Sequence, residues 1–181
     1  MSFWDYSNKV YQSTHVPEAC LQLQNNHGMD VNMLLLCCWY GINYGKFKLD
    51  TFVQCHNFSR KWSDNAVKPL RNVRTWLKQS ACFDMQIEEA SCMEYREQVK
   101  HLELQAERLQ QYSLEALCAS QNSAIHDSND QSAAIACNLK IYLEAEKIQA
   151  TETIICELEI LAKNSISNLD KASFSKIFYS V

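Results

Sequence analysis

The chain from Leu70 to Val181 contains neither glycine nor proline. The whole sequence has only three glycines and two prolines, which are Gly28, Gly41, Gly45, Pro17 and Pro69. An all-β protein needs a turn about every 8–12 residues, and its turns draw mainly on these two residue types. Five glycine and proline residues are too few to form the turns of a β-sheet protein of this length. The sequence therefore predicts an all-α fold.

Residues 1–80 are predicted to form a compact multi-helix core. Its central helix is expected to begin after Asp30, an N-cap residue, and to end at Gly41, because the intervening run is apolar nearly all round. Asn32 is the one clearly polar side chain in that run, so a neighbouring helix must satisfy its amide. A further apolar stripe at helical spacing consists of Trp62, Ala66, Leu70, Val73 and Leu77. Pro69 is expected to kink this helix or to split it in two, and in either case the stripe is expected to face the core.

Residues 81–181 are predicted to form a long antiparallel helical hairpin and a short C-terminal helix, packed with the core as one domain. The first arm is expected from Asp84 to Leu117. The second arm is expected to begin near Ser132, after a polar break. The first arm carries a heptad seam, which consists of Cys92, Tyr95, Val99, Leu102, Ala106 and Leu109.

The sequence predicts a cytoplasmic protein with reduced thiols. Its nine cysteines include no C-x-x-C pair, and its start has neither the basic nor the apolar region of a secretory signal. The most apolar run, Val31 to Ile42, is about a dozen residues, whereas a membrane span needs about 20.

Charge is distributed unevenly. The net charge is −4 and the isoelectric point about 5.7, which disfavours nucleic acid as a partner. Residues 46–78 nevertheless carry eight Lys and Arg against two acids. Four of these cations share one side of a predicted helix and form a candidate anion or partner site: Lys68, Arg71, Arg74 and Lys78. The interpretation we favour is that they pair with acidic residues or face water.

No catalytic or metal-binding motif is found, and we predict no cofactor. The glycines are too few for a phosphate-binding loop. Glu94, Glu97 and His101 resemble metal ligands in spacing, but helical geometry places them away from the seam, so they do not predict a metal site. The pairs Cys37-Cys38 and Cys55-His56 are predicted to be structural, because neighbours in a helix point to different faces.

Several strings resemble a family. They are Trp4-Asp5-Tyr6-Ser7, His27-Gly28-Met29-Asp30-Val31-Asn32, Lys68-Pro69-Leu70-Arg71 with Arg74, and Glu103-Leu104-Gln105-Ala106-Glu107-Arg108. In this order they resemble a proteobacterial family of small cytoplasmic proteins of unknown function. The resemblance is good over the first two-thirds of the chain and brings no activity. Six polar residues from the strings of the N-terminal core form the candidate ligand-binding set: Asp5, His27, Asp30, Asn32, Arg71 and Arg74.

Two functions stay open. The sequence favours a non-catalytic protein–protein interaction or adaptor module, whose partner is an unknown protein or a second copy bound through the long helices. The alternative is an enzyme, or a small-ligand or anion-binding protein, with a site in the N-terminal core. A concave pocket that gathers the candidate residues would favour the alternative. Their dispersal as helix caps and surface pairs would favour the adaptor.

Overall fold

The computed structural model describes residues 1–78, 87–119 and 131–179. Over these ranges the chain is all-α and has no strand, as the sequence predicts. The helices are α1 (Phe3–Tyr11), α2 (Val16–His27), α3 (Val31–Tyr44), α4 (Leu49–Trp62), α5 (Lys68–Trp76), α6 (Glu89–Ala119), α7 (Gln131–Ala145), α8 (Glu152–Ser165) and α9 (Lys171–Tyr179). A π-helical turn, Ser63–Val67, joins α4 to α5.

Local sequence signals set several helix ends. Ser2 Oγ accepts a hydrogen bond from the Asp5 backbone N–H at the start of α1. The Asp30 carboxylate accepts from the first backbone N–H groups of α3, as its predicted capping role requires. Gly28 ends α2 with a φ of 67°, a left-handed conformation that glycine adopts without steric cost.

Helix α3 is the buried centre of the fold. Every residue from Asn32 to Gly41 is buried. Helix α7 packs along one side of it, and the two backbones approach closely at Gly41. A Cβ atom added there would lie 2.8 Å from Ile135 Cγ1 and 3.0 Å from the Ile135 backbone nitrogen. Glycine is therefore required at this crossing.

The other helices surround this centre. Helices α1, α4 and α5 pack on α6, while α2 packs on α8 and α9 packs on α7. The apolar core includes residues from both halves of the chain, such as Leu36, Leu114 and Leu139. The core is thus not confined to residues 1–80.

The predicted second arm is wrong as a single helix. Helix α7 ends at Ala145, and α8 begins at Glu152 with Thr151 as its N-cap. Between them Lys147 has a φ of 57°, which continues no right-handed helix. Helix α7 packs mainly on α3, so the close antiparallel pairing of two arms is not seen. The predicted start at Asp84 and most of the polar break lie outside the described residues.

The heptad seam of α6 is only half covered. Cys92, Val99 and Ala106 are buried. The alternate positions, Tyr95, Leu102 and Leu109, are 54%, 49% and 53% exposed. One flank of this helix therefore presents apolar side chains to solvent.

The helix across Pro69 is also not as predicted, because α5 buries none of its residues. The preceding π-helical turn holds one more residue than an α-helical turn does, so it rotates everything after it by about 100°. As a result Val73 is exposed, and Arg71 and Arg74 face α6.

Most of the described cysteines are free thiols, and five of these are buried: Cys20, Cys37, Cys38, Cys55 and Cys118. Burial raises the pKa of Cys38 to about 12, which agrees with the structural role predicted for the vicinal pair. Cys92 is disulfide-bonded, so the expectation of reduced thiols is wrong at that residue. None of the described helices has the length and apolar character to cross a membrane.

Candidate functional site

A cavity of about 890 Å³ lies against one face of α6. Its walls come from α1, α2, the start of α3, the π-helical turn and α5. Tyr142, on α7, and Glu146, just after it, also line the cavity. Segments that are far apart in sequence therefore converge on one space.

Four of the six candidate ligand-binding residues line this cavity: Asp30, Asn32, Arg71 and Arg74. The other two do not. Asp5 accepts a hydrogen bond from Ser2 Oγ at the start of α1, and His27 is an exposed residue at the end of α2. In the candidate anion set, Lys68 also lines the cavity, while Lys78 is exposed and lies outside it.

Asp30 joins three helices to the cavity wall. Its Oδ1 caps α3, and its Oδ2 accepts from Ser59 Oγ at 2.6 Å and from Gln110 Nε2 at 3.0 Å. Its backbone N–H donates to the Tyr142 hydroxyl at 2.8 Å. The predicted cap is thus also the anionic centre of a buried network.

A chain of side-chain amides extends this network. Asn32 Nδ2 donates to Gln110 Oε1 at 2.7 Å, and Gln111 Nε2 donates to Asn32 Oδ1 at 2.7 Å. The neighbouring helix therefore satisfies the Asn32 amide, as the sequence requires. The chain ends at Gln111 Oε1, which is buried and has no hydrogen-bond partner.

The two arginines are held by carboxylates of α6. Arg71 Nε donates to Glu103 Oε1 at 2.8 Å, and Arg71 Nη2 donates to Glu107 Oε1 at 2.8 Å. Arg74 Nε donates to the other oxygen of Glu103. Lys68 pairs with Asp64. Three of the four predicted cations therefore pair with acidic residues.

The two glutamates differ in electrostatics. Burial raises the pKa of Glu103, but the hydrogen bonds from Arg74 and Arg71 outweigh it, so that pKa is lowered overall. The pKa of Glu107 is raised, mainly by burial and also by the nearby charges of Glu103 and Asp30. Glu103 is thus fixed as a carboxylate, while Glu107 is the first of the two to take up a proton on acidification.

A second unpartnered atom belongs to a lining residue of α1. Ser7, on α1, lines the cavity and is 4% exposed, and its hydroxyl has no hydrogen-bond partner. Trp4 and Tyr11, on the same helix, add aromatic surface. The guanidinium group of Arg108 lies 5.5 Å from the Trp4 ring centre, which fixes α1 against α6.

Sequence reasoning missed the contribution of α6, which is Glu103, Glu107, Gln110 and Gln111. These residues follow a spacing of i, i+4, i+7 and i+8, so they share one helix face. That face is adjacent to the buried half of the heptad seam. Four polar side chains on a helix face next to the core were the sequence signal from which this contribution could have been predicted.

No group of three or more His, Cys, Asp or Glu side chains in the described ranges could hold a metal ion. The described lining residues supply hydroxyl, thiol and carboxylate groups, and no histidine is among them. Its chemistry is that of hydrogen bonding and charge pairing.

The model of the family described as Protein of unknown function (DUF2390) matches residues 2–114. This match covers more than half of the chain, so the protein belongs to that family. No curated protein and no solved structure matches it significantly. The matched range contains all the lining residues of the cavity except Tyr142 and Glu146.

Proposed function

We propose that this protein binds a small polar molecule in the cavity beside α6. The observation that carries this proposal is the pair of unpartnered polar atoms, Ser7 Oγ and Gln111 Oε1, which belong to two residues that line the cavity from α1 and α6. A buried polar group without a partner costs about 1–3 kcal/mol. A ligand that pairs with both atoms would offset that cost.

The surroundings of these atoms support the same function. Gln111 is held in place by Asn32, and Asn32 by Gln110, so the acceptor is positioned before any ligand arrives. Positioning in advance reduces the entropy lost on binding. The volume, about 890 Å³, falls in the range of about 300–1,000 Å³ that is typical of ligand pockets.

Binding rather than catalysis is proposed, because the lining offers no histidine to activate Ser7 or Cys20. Four of the six residues chosen from sequence line the pocket. Their convergence on one space supports a ligand site, although Asp30 also caps α3 and both arginines are ion-paired.

A pair of adjacent variants tests the proposal. Asn25 and Asn26 are both exposed on α2, but only Asn25 lines the cavity. Asn25→Trp would obstruct the pocket, whereas Asn26→Trp places the same bulk outside it. Thermal-shift measurements with a panel of amino acids, nucleosides, sugars and simple amines would find a probe, and NMR titration would measure its affinity.

The expected result is a probe that binds wild type and Asn26→Trp alike and binds Asn25→Trp at least about tenfold more weakly, a difference of about 1.4 kcal/mol. If no probe in the panel binds, or if every probe binds Asn25→Trp as tightly as wild type, the cavity is not the binding site and the proposal is wrong.

A second candidate function, protein interaction, is favoured by the exposed stripe on α6. Tyr95, Leu102 and Leu109 recur every seven residues, which is the spacing of paired helices. A second copy of this chain is the occupant we favour. In an antiparallel pair with its two-fold axis at Leu102, Tyr95 of one copy lies opposite Leu109 of the other, so the stripe complements itself.

Sedimentation velocity over a range of concentrations tests this second function. Wild type is expected to show a dimer that Leu102→Glu abolishes, because the change buries a charge at the centre of the contact. Leu49→Glu, at an exposed leucine of α4, is the matched control and should leave the dimer intact. A wild-type monomer at all concentrations would exclude self-association and leave the adaptor role to a different protein.

For the compartment, we propose the cytoplasm. Seven free cysteines in the described residues support this location, whereas the bond at Cys92 does not.

A further inference from the structure

Two acceptor groups lie one helical turn apart on the cavity face of α6. Arg71 binds Oε1 of Glu107, and no described residue donates to Glu107 Oε2. Gln111 Oε1 is also without a donor. Residues at i and i+4 have Cβ atoms about 5–6 Å apart, so these two oxygens can reach one small donor group together.

The amide chain makes Gln111 a stronger acceptor than a free amide. The Asp30 carboxylate accepts from Gln110, which accepts from Asn32, which accepts from Gln111. Each amide in such a chain polarises the next, and cooperative strengthening is about 10–30% per bond. The negative end of the chain is therefore Gln111 Oε1.

The charges nearest these oxygens also favour a cation. Asp30, Glu103 and Glu107 are three carboxylates, and they share the cavity with two guanidinium groups, those of Arg71 and Arg74. The other charged lining residues are three cations and two acids, namely Arg60, Lys68, Lys100, Asp64 and Glu146. The described lining therefore has equal numbers of positive and negative charges. The excess of negative charge is local to Asp30, Glu103 and Glu107, because Lys100, the other charged lining residue of α6, pairs with Glu97.

An anionic ligand fits this geometry less well. Both arginines already donate to Glu103, which is buried. The positive charge of both arginines is therefore already compensated, and an anion that bound their remaining N–H groups would lie beside the Glu103 and Glu107 carboxylates, which repel it. A protonated amine needs no rearrangement of either arginine.

We infer that the ligand carries a protonated amine, which donates to Glu107 Oε2 and Gln111 Oε1. The inference rests on the proposed binding function and names the chemical class of its ligand. A protonated amine is a donor with no acceptor, so it matches two acceptors and cannot accept a hydrogen bond from either arginine. The aromatic rings of Trp4 and Tyr11 line the same space and suit the body of an alkyl or aryl amine.

Isosteric probes test the class of ligand. Butylamine, butanol and butyrate share a carbon skeleton and differ in the head group, and phenethylamine adds a ring. Each is titrated into the ¹⁵N-labelled full-length protein, and the side-chain amide signal of Gln111 and the indole signal of Trp4 are followed. The amines are expected to shift both signals and to bind more tightly than the alcohol or the acid.

Two variants identify the head-group contact. Glu107→Gln removes the charge while keeping the acceptor for Arg71, and it should weaken amine binding about tenfold or more, as expected for loss of a charge-assisted hydrogen bond. Glu94→Gln removes an exposed carboxylate of the same helix and should change nothing. The folded state of each variant is checked by its amide spectrum.

The outcomes separate the two proposals. Tighter binding of butyrate or butanol at these signals would overturn the amine assignment while supporting a ligand site. Amine binding that is unchanged in Glu107→Gln, or absent altogether, would also overturn the assignment. Only the Asn25→Trp comparison decides whether the cavity binds ligands at all.

Discussion

The two sides of α3 are built by different means. Toward α7 the contact is mainly apolar, with Asn138 as a buried polar residue that donates to the Cys37 carbonyl. It is so close that Gly41 has no room for a side chain beside Ile135. Toward α6 the contact is made by amides, in which Asn32 exchanges hydrogen bonds with Gln110 and Gln111. One helix thus joins a dense core on one side to a polar cavity on the other.

The difference separates stability from recognition. Apolar contact is non-directional, and its contribution grows with the area buried. Buried amides contribute little net stability, because they exchange hydrogen bonds with water for hydrogen bonds in the protein. They do fix the positions of side chains, and a partner that leaves one of them without a hydrogen bond is disfavoured. We therefore expect changes on the α7 side to affect folding, and changes on the α6 side to affect binding more than folding.

The largest effect should come from Ile135→Ala. Ile135 is fully buried against α3, so the change removes buried methyl groups and leaves a cavity. The expected loss is about 2–5 kcal/mol of unfolding free energy, measured by urea denaturation. Ile148→Ala, at a half-buried site, should cost less. Equal losses at the two sites would contradict the idea of a dense α3–α7 contact.

A smaller loss is expected for Asn32→Ala, at about 2 kcal/mol, because Gln110 Oε1 and Gln111 Nε2 each lose a partner. Denaturation measures the loss, and titration with a bound probe measures the accompanying drop in affinity. Asn25→Ala, at an exposed position of α2, is the control for stability. Unchanged ligand affinity in Asn32→Ala would show that the amide chain does not position Gln111.

Glu103→Gln should cost about 1–2 kcal/mol at neutral pH, because Arg71 and Arg74 lose a carboxylate but are themselves partly exposed. The pKa of Glu103 is lowered in the folded state. Its stabilisation is therefore present above the unfolded pKa of about 4.3 and is lost as the pH falls through the folded value.

The measurement for this variant is unfolding free energy against pH. The difference between wild type and Glu103→Gln should shrink as the pH falls below about 4.3. Glu97→Gln, at an exposed carboxylate, should give a much smaller difference at every pH. A constant difference for Glu103→Gln would mean that its charge does not contribute.

The smallest effect on folding should come from Ser7→Ala. The Ser7 hydroxyl is buried without a partner, so its removal should leave the unfolding free energy unchanged within about 0.5 kcal/mol or raise it slightly. Affinity for a bound probe should fall all the same. A clear loss of stability would show that the hydroxyl has a structural role.

The sequence was sufficient for the fold class and for several positions in the site. Helical spacing and scarce turn residues predict the all-α fold, and the capping role of Asp30 follows from its place before an apolar run. Asn32 stood out because a polar side chain in a buried helix must be satisfied.

The sequence was insufficient where tertiary contact decided the outcome. Glu103 and Gln111 lie on a helix face whose partners are set by packing, so periodicity alone could not show that they meet Arg71 and Asn32. The break between α7 and α8 was missed because the apolar stripe continues across it. The side of α5 that faces α6 was predicted wrongly, because the spacing of its apolar residues did not reveal the π-helical turn before it.

That turn makes the site depend on the number of residues between two helices. Deleting any one residue of Ser63–Val67 would let an ordinary α-helix run from α4 into α5. Everything from Lys68 to Trp76 would then swing through about 100°, carrying Arg71 and Arg74 away from α6 and leaving Glu103 buried without its partners. A point substitution can weaken one contact of this cavity, but deleting a single residue of that turn, which lies just before Arg71 and Arg74 in sequence, would separate both arginines from α6 at once.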